Sequence, residues 1–374
     1  FEAWRDRPWS RDMSYTTFRD YVLPYRGSEE PVRSFRPTMR ERYANLAQEM
    51  KDPADAREAA ALIRADVDRI IGFSDLYYLH PTDQAFDEML TCKLGRCEDI
   101  TNMVLYAWRA NAIAAASDYT PAWADRDNNH AWEVVLDAKG SGHAGLGSRA
   151  AKIFRKTFAP QPSALGTRLR ADEPAPRWLI GKHYADVTDQ YQPVSDVTVT
   201  LSHAPQSGER FVYICVFNGG DWTAIHFAEL QDSESVTFTG MGRNIAYLPA
   251  WYRDEELVPA GSPFILDPEG QVTVLSGGEG PSVSVEIMTI QPEVADADTQ
   301  SIKPRITVKP NTDYELLTWD PEKAGWDSHS RHTADHDPVS ISNIPGNRLY
   351  WLRSEEGRNL ERIFTVEQGR QVWY

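Results

Sequence analysis

At 374 residues the chain exceeds one ordinary hydrophobic core, so two or three domains are expected. Its 39 basic and 55 acidic residues leave a net charge of −16, which argues against a nucleic-acid partner, because phosphate backbones are held by clustered Lys and Arg. No stretch approaches the ~20 apolar residues of a membrane-spanning helix.

The chain opens on Phe1, with no basic region followed by an apolar block. Something is therefore expected to have been removed ahead of it, a signal or lipid-anchor segment being one candidate. A lost lipid anchor is the one route to a membrane. The first third reads as helical. In residues 53–72 (PADAREAAALIRADVDRIIG), Ala59, Leu62, Ile63, Val67, Ile70 and Ile71 recur at spacings of three and four, which places one apolar stripe on a helix. Pro53 suits the start of that helix and Gly72 its end. Residues 98–113 (EDITNMVLYAWRANAI) give a second buried helix on Ile100, Met103, Val104, Ala107 and Trp108. Shorter apolar runs follow at 131–136 and 184–187. From about Val194 the pattern turns strand-like, in TVTL, FVYICVF, WTAIHFA, SVTFTG and VSVEIMTI. An acidic stretch at 292–299 reads as a linker, and YELLTW, PVSISNI, NRLYWL and RIFTVEQ beyond it read as further strands. The expected architecture is α+β: an α+β domain at 1–195 with a helical N-terminal region, then β-sandwich modules at 196–292 and 299–374. No internal repeat stands out.

Cys92, Cys97 and Cys215 are too few for a disulfide scaffold and leave at least one thiol unpaired. The commonest fate of such a residue is a small buried side chain. Cys97, in LGRCEDITN, opens the second helix, where free N–H groups and the positive end of the dipole favour a thiolate and an oxyanion. Arg96 adds positive charge beside it. Glu98 and Asp99 oppose the thiolate, although acidic residues at a helix start are also ordinary capping chemistry. A base is offered by His130, in NNHAWEVVL at the mouth of a strand-like run. Asp186, in HYADVTDQY, could hold the imidazole tautomer. A lone His or Asp is more often structural, and Asp137 and Asp189 are rival orienters.

These three segments, in this order, resemble the core of the transglutaminase-like superfamily, with matches at Gly95, Cys97, Arg109, Ile113, Ala114, His130, Ala131, Trp132 and Asp186. The likeness covers about residues 90–195. It departs from the pattern in Ala112-Ile113-Ala114, where the family has Gly-Ile-Pro, and in the 44 residues between the His and Asp strands. It implies a papain-like α+β fold with a Cys97–His130–Asp186 triad and acyl transfer through a thioester. The progression SDYTPAW, KIFRKTF, DVTDQY is also similar to that of multi-module transglutaminase-like proteins of Bacteroidetes, and this similarity alone implies export to the periplasm, cell surface or medium.

The function expected is a cysteine-dependent hydrolase, or an acyltransferase, acting on an amide of a peptide, glycopeptide or glycosylamide, with no cofactor and no metal. Hydrolysis is preferred, since nothing points to a dry acceptor pocket. Tyr119, Trp123, Asn129 and Trp132 are candidate substrate-lining residues, with core packing as the plainer reading of the aromatics. The other reading is an inert binder of carbohydrate or protein, using Trp222, Tyr247, Trp251, Tyr252, Trp319, Trp326 and Trp351 of the β modules. Residues 139–182 hold nine Lys and Arg against two acids, either a positive lip beside the groove or a solvated loop. His329, His332 and His336 with Asp335 and Asp337 fit no common metal-ligand spacing, and DRDNNH lacks the Gly and Glu of a calcium loop.

Overall fold

In the computed structural model, residues 1–231, 234–277, 282–289, 308, 311–335, 339–354 and 361–374 are described. The N-terminal helices are α1 (Glu2–Asp6), α2 (Tyr15–Tyr21), α3 (Arg36–Arg42), α4 (Leu46–Glu49) and α5 (Ala56–Val67). Helix α5 starts later than its sequence suggests, because Asp55 is the N-cap and accepts the Arg57 N–H at 2.8 Å, which leaves Pro53 in the preceding turn. Its buried residues are Ala59, Ala60, Ile63 and Val67, while Leu62 points outward. Gly72 opens a short strand, β1 (Gly72–Phe73), which pairs in parallel with β2 (Leu94–Gly95) after helix α6 (Phe86–Cys92).

Helix α7 (Cys97–Ala110) is the centre of this unit, with every residue from Thr101 to Ala110 buried. Met103, Val104, Ala107 and Trp108 join Phe35, Met39, Ile63, Val67 and Met89 in one core. It ends where Ala112 turns left-handed at φ 58°. That is the position at which the family pattern has glycine, and the backbone supplies the reason: a Cβ is costly at positive φ.

A four-stranded antiparallel sheet lies against α7, in the order β4 (His130–Val135), β3 (Ala115–Thr120), β5 (Phe154–Lys156), β6 (Tyr184–Asp186). Neither β3, which reads AASDYT, nor the three-residue β5 carries enough β-branched alternation to be seen in the sequence.

From Val194 onward every described element is a β-strand. One group of strands runs from Val194 to Val274 and the next from Ser282 to Trp373. Ser282–Glu286 pairs with Ser340–Pro345, so it belongs with the C-terminal group and not with the middle module ending at 292. The expected linker at 292–299 lies outside the described residues. Phe211, Phe217, Trp222 and Leu275 of the middle group share one core with Leu317, Trp319, Trp351 and Ile363 of the last. No described helix is long and apolar enough to cross a membrane.

Candidate active site

The thiol stands at a tightly built helix start. Gly95 ends β2, Arg96 is the N-cap of α7, and Cys97 is its first residue. A Cβ on Gly95 would come within 2.6 Å of Asp99 Cβ, so only glycine lets the strand run this close to the helix. Asp99 is the cap: Oδ2 accepts the Arg96 N–H at 3.0 Å and Oδ1 accepts the Gln84 N–H at 2.8 Å. The Arg96 guanidinium is paired with Asp83 at 2.6 Å.

The Cys97 thiol is free and half-buried. It donates to Glu98 Oε2 at 3.1 Å, and the Tyr78 hydroxyl lies 3.9 Å from Sγ. Burial first, then the charge and hydrogen bond of Glu98, push the thiol up to about 12, against the Ala131 N–H and Tyr78, which favour the thiolate. The opposition expected from the acidic first turn is therefore exerted by Glu98, while Asp99 does the capping.

His130 is the first residue of β4, and its neighbour Ala131 supplies the backbone N–H that reaches Sγ. The imidazole lies against Trp123 and Trp132, with ring centroids at 6.1 and 5.6 Å. Arg126 caps Trp123 at 4.6 Å. Burial, and next the charge of Arg126, hold the His130 pKa below the ordinary 6.5, with Glu98 pulling the other way. The imidazole is thus neutral at neutral pH and able to take a proton. The thiol thus lies beside the start of the His130 strand, at Ala131, and its proton is directed at Glu98.

Asp186 is not brought to that corner. It ends β6, three strand spacings from β4, or about 14 Å across the sheet. Register also separates them: Asp186 pairs with Phe154, Phe154 with Tyr119 and Tyr119 with Ala131, so Asp186 faces the side opposite to His130. Its carboxylate accepts from Lys152 Nζ at 2.5 Å and from Thr188 N–H and Oγ1–H at 3.0 and 2.6 Å. The rival Asp137 closes a turn by accepting the Lys139 and Ser141 N–H groups.

Of the aromatic candidates, Trp123 and Trp132 flank His130, and Trp132 Nε1 donates to Tyr191 at 2.9 Å. Tyr119 packs on Phe154 instead, and Asn129 is exposed, its N–H bonded to Asn128 Oδ1. Part of the basic segment is spent on ion pairs, while Arg170, Arg177 and Lys182 are exposed. Arg149 pairs with Asp125, Lys152 with Asp186, Arg155 with Asp118 and Arg168 with Glu229. His329 and His332 lie on the strand Gly325–Thr333, whereas His336 and Asp337 are outside the described residues. Among the described residues no group of three or more His, Cys, Asp or Glu is placed to hold a metal.

Tyr78 and Asn218 were not singled out from sequence. Tyr78 sits in an apolar run, DLYYL, with nothing to mark it. Asn218 lies some 90 residues downstream, yet its Nδ2 donates to the carbonyls of Trp123, Arg126 and Asn128 at 3.0–3.1 Å, and its Oδ1 accepts the Asn128 N–H.

Residues 44–142 match the sequence profile of the transglutaminase-like superfamily. Over that segment the chain is similar to the transglutaminase-like core. The matched segment includes Cys97 and His130 and ends before Asp186. Among solved structures, the crystal structure of red sea bream transglutaminase aligns over 96% of this chain and 80% of its own, at 11% identity and a TM-score of 0.29, too low to establish a shared overall architecture. A comparison with curated proteins gives no match. The transglutaminase-like core therefore rests on the helix–strand segment that carries the thiol and the imidazole.

Proposed function

We propose that this protein is a cysteine-dependent hydrolase, or an acyltransferase, acting on an amide of a peptide, glycopeptide or glycosylamide. The observation that carries this reading is a free thiol at the first position of a buried helix, with the start of the His130 strand beside it. Rotation of the thiol from Glu98 to the imidazole starts the reaction. Sγ then attacks the carbonyl carbon while its proton passes to His130, as suits a neutral thiol and a neutral imidazole. The N–H groups of the first turn of α7 have no intrahelical partners and can face the oxyanion. Collapse breaks the C–N bond, and His130 gives the proton to the leaving amine. Water attacks the thioester next, His130 again taking the proton, which returns to Sγ as the acid product leaves.

Asp186 has no place in this scheme, and a Cys97–His130 pair is proposed in its stead. The binding reading is not favoured, because Trp222, Tyr247, Trp251, Trp319 and Trp351 are buried, and Tyr252 and Trp326 are half-buried and packed against the core that holds Trp222, Trp319 and Trp351.

The test sets wild type beside Cys97→Ala on a panel of peptide, glycopeptide and glycosylamide substrates, with hydroxylamine present to capture the acyl group. Turnover and hydroxamate formation are expected in wild type and to fall on the order of 10³-fold or more in the variant. Equal behaviour of the two proteins, with no acyl group ever found on Cys97, overturns the assignment.

A further inference from the structure

The thiol opens onto an unusually apolar surface. Leu79 is 86% exposed, Leu76 72% and Phe73 55%, and Leu94 and Tyr78 are also exposed. All five belong to one small unit. The β1–β2 ladder pairs Gly72 with Leu94 and Phe73 with Gly95, and the Ser74 N–H donates to the Gly95 carbonyl at 2.9 Å, so the turn Asp75–Leu79 is tied to the strand that leads directly into Cys97. Tyr78 joins patch to thiol: its ring meets Phe73 edge-on at 6.4 Å, while its hydroxyl lies 3.9 Å from Sγ.

Exposed apolar side chains scattered singly need no explanation, but a contiguous group marks a contact surface. This one reaches the reacting atom through Tyr78, whose ring touches Phe73 and whose hydroxyl faces Sγ. At its thiol end it meets Glu98, which repels anions from that corner. A substrate segment that lies across Cys97 must therefore set its neighbouring side chain on these residues, and water leaves both surfaces only when that side chain is large and apolar.

We propose that Phe73, Leu76, Tyr78 and Leu79 form the subsite for a bulky apolar side chain next to the reacting amide, so that the acyl donor is a peptide segment bearing a residue such as Leu or Phe at that position. This deepens the hydrolase reading and rests on it for the identity of the reacting bond. The binding part stands separately, because occupancy of the patch covers Cys97 whether or not a bond is broken.

Two measurements test it. The first compares kcat/KM for peptide amides that carry Leu, Phe, Ser or Glu beside the reacting amide, in wild type and in Leu76→Ser/Leu79→Ser. Wild type is expected to prefer Leu and Phe over Ser about tenfold or more, and the double variant to bring that ratio toward one. The second follows alkylation of Cys97 by iodoacetamide in the presence of the same amides. Leu- and Phe-bearing amides are expected to slow it in wild type at concentrations where the Ser-bearing amide does not, and to lose that advantage in the variant. Protection without turnover sinks the catalytic reading and leaves the subsite standing. Equal protection by Leu and Ser amides overturns the subsite, as does a preference for Leu that survives in the variant. If wild type sediments as a dimer that the double substitution dissociates, the patch is an interface between copies and the proposal is equally overturned.

Discussion

Glu98 is the residue on which the chemistry of the thiol turns. Its carboxylate accepts the hydrogen bond that the neutral thiol would otherwise give to the His130 imidazole, and its charge is a like charge beside the forming sulfur anion. Removal of that charge favours the thiolate. In Glu98→Gln the alkylation rate of Cys97, followed against pH, is expected to rise at a pH about one unit or more below that of wild type. The sign follows from the acid form: a neutral amide no longer destabilises S⁻, so the proton leaves at lower pH. An unmoved profile means that burial alone holds the thiol, and Glu98 is then a bystander. The sequence made half of this legible, since two acids in the first turn announce opposition to a thiolate. It could not divide the labour, because which acid bends back to cap Arg96 and which lies along the sulfur depends on the close approach of Gln84 and Gly95.

At the scale of elements, the sheet shows why the third member of the expected triad was misplaced. Order along a chain does not fix order across a sheet. His130 and Asp186 open and close consecutive strand-like runs in the sequence, but β3 and β5 intervene between β4 and β6, and β5 is formed by part of the 44-residue insertion. The same insertion supplies Lys152, which holds Asp186, and Arg155, which meets Asp118 through Nε–Oδ1 and Nη2–Oδ2 bonds, both 2.8 Å. Two of the cations that read as a surface lip, Lys152 and Arg155, are thus internal fasteners. Asp118 and Arg155 are both fully buried, and Tyr191 also donates to Asp118 at 2.7 Å. Loss of one partner leaves the other charge stranded in the core. Arg155→Met is expected to destabilise the fold by about 3–5 kcal/mol, and Asp118→Leu/Arg155→Met to recover most of that loss, as measured by urea denaturation. A small effect of the single substitution would show that water reaches the remaining carboxylate. Helices α5 and α7, by contrast, were readable in place though not to their ends, because both follow a 3.6-residue period while their caps and terminal turns are set locally.

For the whole molecule, the β groups bear on the site by gripping the loop that delivers His130. Asn218 binds that loop through four backbone groups of Trp123, Arg126 and Asn128. The Gly219 N–H donates to Asp127 Oδ1 at 2.7 Å, and Arg362, from the last group of strands, donates to the Ala124 carbonyl at 2.6 Å. Burial lowers the Arg362 pKa to about 10, and the charge of Asp127 works against that fall. None of this could be read from the sequence, where Asn218 sits in an ordinary hairpin turn and contacts across some 90 residues leave no local period. The consequence is that a substitution outside the transglutaminase-like core should reach its chemistry. Asn218→Ala removes one side chain at a strand end and spares the apolar core, so a stability loss of about 1–3 kcal/mol is expected. The larger effect falls on the loop: cleavage by a nonspecific protease within residues 123–129 should accelerate several-fold, and kcat/KM should drop about tenfold while Cys97 still alkylates at its wild-type rate. That combination separates misplacement of His130 from damage to the thiol. If turnover and loop protection both survive the substitution, the β groups serve another purpose, and the imidazole is positioned by β4 and its flanking tryptophans alone.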